Sequence, residues 1–189
     1  MTYNIMIDFE TLDTTATAAV LSLGAALFTP DKILSANYVE FDLDFQLPAG
    51  RTVSASTLAW WMTQSSAARA VFTGKAKRYL TADVLADFFS VLEGGHLKGV
   101  KSSNPFYDVR LWSNGASFDI PILEHIYRAT GVKSPFHYGH HTCFRTFANL
   151  TKCRDLVPDL GVKHNALDDA KWQAETVIAW HAKNKKAKK

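Results

Sequence analysis

Residues 3–12, YNIMIDFETL, combine a short apolar run with two closely spaced acids. The apolar run, residues 3–8, stops abruptly at acidic residues, which predicts a buried strand that presents polar side chains at its end. Because side chains alternate along a strand, Asp8 and Glu10 should point to one face, about 6–7 Å apart along the backbone. Two carboxylates on one face of a buried strand repel each other unless a cation compensates them. They are either solvated acids at a strand end or ligands of Mg²⁺ or Mn²⁺.

The rest of the chain predicts an α/β fold. Residues 20–28 and 38–44 are apolar runs typical of strands, and three consecutive strands imply an antiparallel meander. A fourth, short strand is predicted over residues 111–113, ahead of the Asn114-Gly115 turn. Helices are predicted from Ser54, Ser56 or Thr57 through Met62, from Ser65 or Ser66 through Val71, and over residues 82–92, 118–130 and 166–183, whereas residues 141–150 are ambiguous. This order indicates a mixed sheet flanked by helices.

Length and composition limit the class of protein. The 189 residues suffice for one domain, which we place at residues 1–182, followed by a basic tail, residues 183–189. Hydrophobic residues make up 47% and charged residues 21%, which excludes a disordered chain and a disulfide scaffold. With no membrane-length apolar run and no basic leader, we expect neither a membrane protein nor a secreted one. Two cysteines, Cys143 and Cys153, indicate a reducing, cytoplasmic compartment.

Positive charge is concentrated at the C-terminus. The formal charge is +3, and residues 183–189 hold five lysines and no acid. Without this segment, 16 basic residues remain against 18 acidic ones, so the body of the chain is close to neutral. A short lysine run is most often solvated, and it also offers sequence-independent attraction to phosphate backbones.

Three further residues could carry chemistry. Asp119 begins a predicted helix, where the helix dipole favours an acid whatever its function. His164 precedes the last helix, and Asp169 lies five residues further on, whereas the neighbouring Asp168 would point about 100° away. Taken singly, each has a structural explanation, as a first-turn acid or as a packed or solvated histidine.

The order of these motifs is more specific than any one of them. They are D-x-E within IDFETL (residues 7–12), N-x-x-x-x-D ending in SFDIPIL (residues 117–123), and H-x-x-x-x-D within HNALDDA (residues 164–170). Together they resemble the DEDDh 3′–5′ exonucleases, the group that includes ribonuclease T, oligoribonuclease and proofreading subunits. The resemblance covers residues 5–179. Residues 58–69, LAWWMTQSSAAR, are similar to the phage and prophage branch of exonuclease A type, which has RNase T-like relatives.

The resemblance implies an RNase H-like fold and hydrolysis assisted by two divalent cations, Mg²⁺ or Mn²⁺. Carried over by motif, Asp8, Glu10, Asp119 and Asp169 become the metal ligands, and His164 becomes the general base. The spacing of the H-x-x-x-x-D motif selects Asp169 over Asp168. Relatives in this branch often carry an acidic residue before Arg-Thr, where this chain has Cys143 and Phe144 ahead of Arg145.

Six residues are candidates for substrate contacts: Thr11, Leu12, Trp61, Asn114, Ser117 and Phe118. The resemblance implies that Thr11 and Leu12 offer backbone N–H groups and an apolar wedge to the terminal nucleotide. Phe118 could stack on a base or pack its helix against the sheet, while Asn114 and Ser117 could bind phosphate or sugar or simply form a turn. Of the adjacent Trp60 and Trp61, the resemblance favours Trp61 as the stacking surface.

Other candidates are weaker. Arg110 and Lys163 flank the motifs and could contact phosphates or remain solvated. Residues 137–143, HYGHHTC, contain three histidines and a cysteine, but their spacing matches no established zinc pattern.

These observations predict a metal-dependent 3′–5′ exonuclease that releases nucleoside monophosphates from single-stranded ends. The phage branch suggests DNA as the substrate, whereas the RNase T-like relatives suggest RNA. A nucleic-acid binding module without catalysis is the alternative, although all five motif residues are present. A homodimer is possible, because several relatives borrow basic surface from a partner subunit.

Overall fold

A five-stranded mixed sheet forms the centre of the computed structural model, which describes residues 2–74, 77–97, 103–159 and 161–186. Its strands are β1 (Asn4–Thr11), β2 (Val20–Phe28), β3 (Ile33–Glu40), β4 (Arg110–Ser113) and β5 (His141–Cys143). Their order in the sheet is β3-β2-β1-β4-β5. The first three form an antiparallel meander, whereas β4 pairs in parallel with β1, and β5 in parallel with β4. The predicted mixed α/β sheet is therefore confirmed.

Seven α-helices surround this sheet in the described part of the chain. They are α1 (Leu43–Gln46), α2 (Ala55–Thr63), α3 (Ser66–Arg69), α4 (Ala82–Glu93), α5 (Asp119–Ala129), α6 (Phe144–Thr151) and α7 (Ala166–Lys186). Within the described ranges, no helix combines the length and the apolar character that crossing a membrane requires.

Alternation along β1 separates two layers of the core. Ile5, Ile7 and Phe9 pack against α4 and α5 on one face of the sheet. Met6 packs with residues of α6 and α7 on the other face. Side chains two residues apart share a face, so the positions after Met6, Asp8 and Glu10, lie on the side of α7.

The predicted elements differ from the structure mainly at β3. The third strand is present, but its predicted bounds, residues 38–44, are wrong, because β3 is Ile33–Glu40 and a helical turn, α1, begins at Leu43. Asp42 caps that turn by accepting a hydrogen bond from the Asp44 N–H, which ends the extended backbone. The ambiguous residues 141–150 divide into β5 and α6. The last helix extends past the predicted residue 183 to Lys186, and residues 187–189 of the tail lie outside the described residues.

Close packing of α7 on β2 fixes the position of the last two motif residues. Gly24 pairs with Asp8 in the β1–β2 ladder. A Cβ at Gly24 would overlap the backbone of Ala166 and Leu167, the first residues of α7. Only glycine therefore lets the start of this helix approach the sheet next to Asp8.

Candidate active site

All five predicted catalytic residues line one cavity of about 770 Å³. They are Asp8 and Glu10 from β1, Asp119 from the first turn of α5, Asp169 from the first turn of α7, and His164 from the loop before α7. Asp168 does not line this cavity, because its Oδ2 instead accepts a hydrogen bond from the Val162 N–H at 2.8 Å. Residues more than 150 positions apart in sequence are thus brought together by the β1–α7 packing.

The two strand carboxylates differ in their surroundings. Asp8 is partly exposed, and its Oδ1 accepts a hydrogen bond from Gln173 Nε2 at 3.0 Å. Gln173 lies one helical turn after Asp169, is almost fully buried, and has no partner for its Oε1. Glu10 is buried, with 7% of its surface exposed.

Asp119 is anchored where the pairing of β1 with β4 ends. The parallel ladder between β1 and β4 stops at Ile7 and Ser113. Beyond it, the Phe9 N–H donates to Asp119 Oδ1 at 3.0 Å. This bond holds a 97% buried carboxylate against the backbone between Asp8 and Glu10.

The loop before α7 presents His164 next to Asp169. His164 adopts a positive φ of 62°, a conformation that is unfavourable for a residue with a side chain. Its N–H donates to Asp169 Oδ2 at 2.9 Å, so the Asp169 carboxylate holds the backbone of His164. Asn165 Oδ1 accepts hydrogen bonds from the N–H groups of Leu167 and Asp168 and caps the helix.

Burial raises the pKa values of all four carboxylates, and at Asp8 and Glu10 the neighbouring motif acids raise them further. Burial raises the pKa of Asp8 well above its usual value, and the charges of Asp119, Glu10 and Asp169 add to that rise. Burial, followed by the charges of Asp169 and Asp119, raises the pKa of Glu10 to about 8. Burial also raises the pKa of Asp119 to about 7, against the Phe9 N–H and the charge of Arg145, which lower it. Burial raises the pKa of Asp169 as well. Such a cluster favours either protons or a compensating cation.

The donor set fits a metal ion. One ligand atom each of Glu10, His164 and Asp169 lies within 4.8 Å of the others. Carboxylate oxygens are the ligands preferred by hard divalent cations. Divalent metal ions are also the general cofactor of DEDDh exonucleases.

A family model of the Rv2179c-like 3′–5′ exoribonuclease domain matches residues 3–180. The chain belongs to this family. It is therefore an exonuclease domain, and the fold and enzyme class predicted from its motifs are confirmed.

Individual relatives agree with this assignment. An exodeoxyribonuclease of enterobacteria phage T4 is 30% identical over 135 residues, which cover 67% of this chain and 56% of the phage protein. The chain thus spans little more than half the length of that relative. The nuclease domain of 3′hExo, a DEDDh family member solved with rAMP, has a TM-score of 0.55 and 15% identity over 93% of this chain and 90% of that one. Exonuclease X, solved with 5′ overhanging duplex DNA, has a TM-score of 0.54 and 16% identity over 96% and 92% of the two chains. These two likenesses show that the exonuclease shares their fold.

The exonuclease places its adjacent tryptophans in opposite surroundings. Trp61 is 2% exposed, lies in a small core with Leu21 and donates from Nε1 to the Thr11 carbonyl at 2.8 Å. The prediction that Trp61 is the stacking surface is therefore wrong. Trp60 is 41% exposed, and its ring meets that of His164 edge-on, with centroids 4.8 Å apart. Whether Trp60 or Trp61 is exposed depends on which face of α2 packs against the core. The sequence around two adjacent tryptophans does not show which face that is.

Leu12 is also not free to meet a substrate. It is 4% exposed in the same small core, and its N–H donates to the Ala19 carbonyl at 2.8 Å. The prediction of a wedge and a free N–H at Leu12 is wrong, because the connection between β1 and β2, residues 12–19, folds back on itself and buries this residue. Thr11 is buried as well, and its hydroxyl donates to the Asp13 carbonyl.

A second cavity of about 400 Å³ adjoins the first. Phe9, Glu10 and Phe118 line both, and Thr11 and Trp60 are among the residues that line only the second. Phe118 thus stands between the two cavities, where its ring can contact a ligand. Asn114 lines the first cavity, whereas Ser117 is exposed and lines neither.

Three residues of the site were not identified from the sequence: Gln173, Arg145 and Arg154. Gln173 follows Asp169 by four residues, and this i to i+4 spacing on α7 is a signal that could have identified it. The two arginines line the first cavity from α6 and from the turn that follows it. Their positions depend on the tertiary fold, and no local pattern points to them.

The remaining candidates from the sequence are two basic residues and the histidine-rich segment 137–143. Lys163 lines the first cavity and pairs with Asp159 at 2.8 Å, while Arg110 is exposed and lines neither cavity. In the described ranges, the clustered metal-ligand set is Glu10, His164 and Asp169, and it includes no residue of the segment 137–143.

Proposed function

We propose that this exonuclease domain removes nucleoside monophosphates one at a time from the 3′ ends of single-stranded nucleic acid, with divalent cations. The convergence of Asp8, Glu10, Asp119, Asp169 and His164 on one open cavity carries this proposal. Phosphodiester hydrolysis develops negative charge on the attacking oxygen, the leaving oxygen and the phosphoryl group. A site for this chemistry needs concentrated cation ligands beside a proton acceptor, and this cavity supplies both.

The four carboxylates would hold two Mg²⁺ or Mn²⁺ ions. Their combined charge of about −4 would balance two divalent cations, and their mutual repulsion supports this assignment. Bound ions would lower the pKa of a water nucleophile and stabilise charge on the phosphate. Gln173 would orient Asp8 through its amide N–H, while its partnerless Oε1 remains available to a water ligand.

His164 would accept the proton of the attacking water. A ring nitrogen of imidazole can accept a proton, and histidine is the side chain that most often acts as a general base. The hydrogen bond from the His164 N–H to Asp169 holds the loop, and the Trp60 ring contacts the imidazole.

The second cavity would receive the terminal nucleoside. It is shared with the catalytic cavity through Glu10 and Phe118, and Trp60 also lines it. Aromatic rings stack on any base, each stack contributing about 1–3 kcal/mol. This arrangement supports removal of a terminal nucleotide without strong dependence on base identity.

DNA and RNA are both substrates to test, because the phage relative and the family model are described as acting on different nucleic acids. The phage T4 relative is an exodeoxyribonuclease, which favours DNA. The matching family model is of an exoribonuclease domain, which favours RNA. Discrimination between the two would depend on contacts to the 2′-hydroxyl.

Labelled oligonucleotides test the function. Single-stranded DNA, single-stranded RNA and duplex, each labelled at the 3′ or the 5′ end, are incubated with Mg²⁺, Mn²⁺ or a chelator. We expect early release of the 3′ label as a mononucleotide, a ladder from the 5′-labelled strand, and no cleavage with chelator. Intact substrates under every metal condition, or early release of the 5′ label, would contradict the proposal. The ratio of the DNA and RNA cleavage rates shows which of the two nucleic acids is preferred.

A further inference from the structure

We infer that Arg145 and Arg154 form a phosphate-binding wall for the nucleic-acid backbone on the 5′ side of the scissile bond. This inference rests on the proposed function, whose reaction supplies the substrate. Both residues line the carboxylate cavity, Arg145 from the first turn of α6 and Arg154 from the 3₁₀ turn Arg154–Leu156.

Both guanidinium groups are held by the same neutral residue. Arg145 Nη2 donates to the Asn114 carbonyl at 2.9 Å. Arg154 Nη2 donates to Asn114 Oδ1 at 3.4 Å. Asn114 also belongs to the cavity lining, so it sets two cationic side chains side by side at the rim.

Aromatic rings fix Arg154 further. Its guanidinium carbon lies 5.3 Å from the centroid of the Phe144 ring and 6.0 Å from that of Trp172. Packing against rings restricts the side chain while leaving its donors free. A pre-ordered guanidinium loses less entropy when it binds an anion.

Neither arginine forms an ion pair within the described ranges, although the charge of Arg145 lowers the pKa of Asp119. The ion pairs in the described ranges are Arg78–Asp87, Lys163–Asp159 and Lys185–Asp31. Asp155 and Asp159 also line the cavity, but Asp159 pairs with Lys163, and no ion pair joins either acid to these arginines. Two cations that are held by neutral groups beside an acidic centre retain their donors for another anion, and a guanidinium binds phosphate with paired N–H donors.

The position of the wall indicates which phosphate it meets. The scissile phosphate must lie at the carboxylates, and the terminal nucleoside occupies the second cavity, beyond Phe118. Arg145, Arg154 and Trp172 line the first cavity and not the second. The strand that leads away from the scissile bond, opposite the terminal nucleoside, therefore passes the arginine wall.

The test compares substrates with and without upstream phosphates. The p-nitrophenyl ester of thymidine 5′-monophosphate contains one phosphodiester, whereas an oligonucleotide adds phosphates on the 5′ side. Steady-state kinetics are measured for the wild type, Arg154→Ala, Arg154→Lys and Arg145→Ala. Arg128→Ala, at an exposed position that lines neither cavity, is the matched control.

We expect Arg154→Ala to raise KM for oligonucleotides about 10-fold or more, since a charge-assisted hydrogen bond to phosphate is lost. The loss should be much smaller on the nitrophenyl ester, which has no upstream phosphate for Arg154 to bind. The slope of log KM against log salt should fall by about 0.7 per lost phosphate contact. Arg154→Lys should keep the salt slope but not the full affinity, because lysine retains the positive charge but lacks the paired, planar N–H donors of arginine.

The outcomes separate this inference from the proposed function. If the wild type cleaves neither substrate with Mg²⁺ or Mn²⁺, the proposed function fails. If the wild type is active and Arg154→Ala has wild-type KM for every oligonucleotide length, only the arginine wall is contradicted. Equal loss on the nitrophenyl ester and on oligonucleotides, in both Arg154→Ala and Arg154→Lys, would also overturn it, since the residue would then act at the scissile phosphate or on the fold.

Discussion

His164 illustrates how much of this site is decided at the level of one residue. Its backbone has a positive φ, and sparsely populated backbone conformations typically cost about 1–3 kcal/mol. The bond from its N–H to Asp169 compensates that cost and couples the proposed base to a proposed metal ligand. The imidazole also contacts Trp60, so its position depends on α2 as well as on α7.

Replacing His164 by alanine should reduce kcat at least about 100-fold, the usual effect of losing a general base. Binding of Mn²⁺ should largely survive, because the four carboxylates remain. Calorimetric Mn²⁺ titration and single-strand cleavage assays measure the two effects separately. Asp169→Ala is the comparison, and it should lose both. Near-wild-type turnover in His164→Ala would exclude the assigned role.

The exposed Trp60 gives a second prediction at this scale. Trp60→Ala should raise KM for single-stranded oligonucleotides about 10-fold, because one stacking surface is lost, while Trp60→Phe should retain most of the affinity. Met62→Ala, at a 72% exposed position on the same helix, is the control. Equal kinetics for Trp60→Ala and Met62→Ala would show that this ring does not contact the substrate.

Among the elements, the strands show what the sequence can and cannot predict. The uninterrupted apolar run of β2 is buried throughout and has the predicted bounds. β3 lies at the edge of the sheet and is half-buried along most of its length. Its hydrophobic pattern is therefore weak, and its predicted bounds are wrong. The motif acids were found because their spacing along the chain is specific. The arginine wall and the orientation of α2 depend on contacts between distant elements, which local patterns do not contain.

The contact between β2 and α7 can be tested at Gly24. Gly24→Ala should displace the first turn of α7, since the added Cβ overlaps the backbone of Ala166 and Leu167. We expect loss of Mn²⁺ affinity and of cleavage, together with a lower melting temperature. Gly50→Ala is the control, because Gly50 has a positive φ of 86° but open space around it. That variant should lose about 1–2 kcal/mol of stability, because a side chain at a positive φ is strained, and keep its activity. Wild-type metal affinity in Gly24→Ala would contradict the proposed contact.

For the whole molecule, the sheet acts as the frame that concentrates negative charge. Helices pack on both faces, and the carboxylates lie at the edge of the layer between the sheet and α7. A folded chain without metal must keep these acids close together, whereas the unfolded chain separates them. Stability should therefore depend on both pH and cations.

The sign of the pH dependence follows from the raised pKa values. Glu10 has a pKa of about 8 in the fold against 4.5 for the free side chain, and Asp119 about 7 against 3.8. Between about pH 4 and pH 8 the folded chain binds more protons than the unfolded chain, so the free energy of unfolding should fall as pH rises. Melting curves with chelator across this range measure the fall, and Glu10→Gln should reduce it.

Added Mg²⁺ should largely remove this dependence, because metal-bound carboxylates are deprotonated throughout the range. A metal-free protein whose melting temperature rises steadily from pH 5 to pH 8, with no difference between wild type and Glu10→Gln, would contradict the raised pKa values.

In the proposed mechanism, Asp8, Glu10, Asp119 and Asp169 together hold divalent cations beside His164. Anomalous diffraction from crystals grown with Mn²⁺ and a nucleoside 5′-monophosphate tests it most directly. We expect two anomalous peaks among these four carboxylates, with the nucleotide phosphate in contact with them. Well-ordered nucleotide in the cavity without any Mn²⁺ peak at these carboxylates, or Mn²⁺ bound only elsewhere, would contradict the claim.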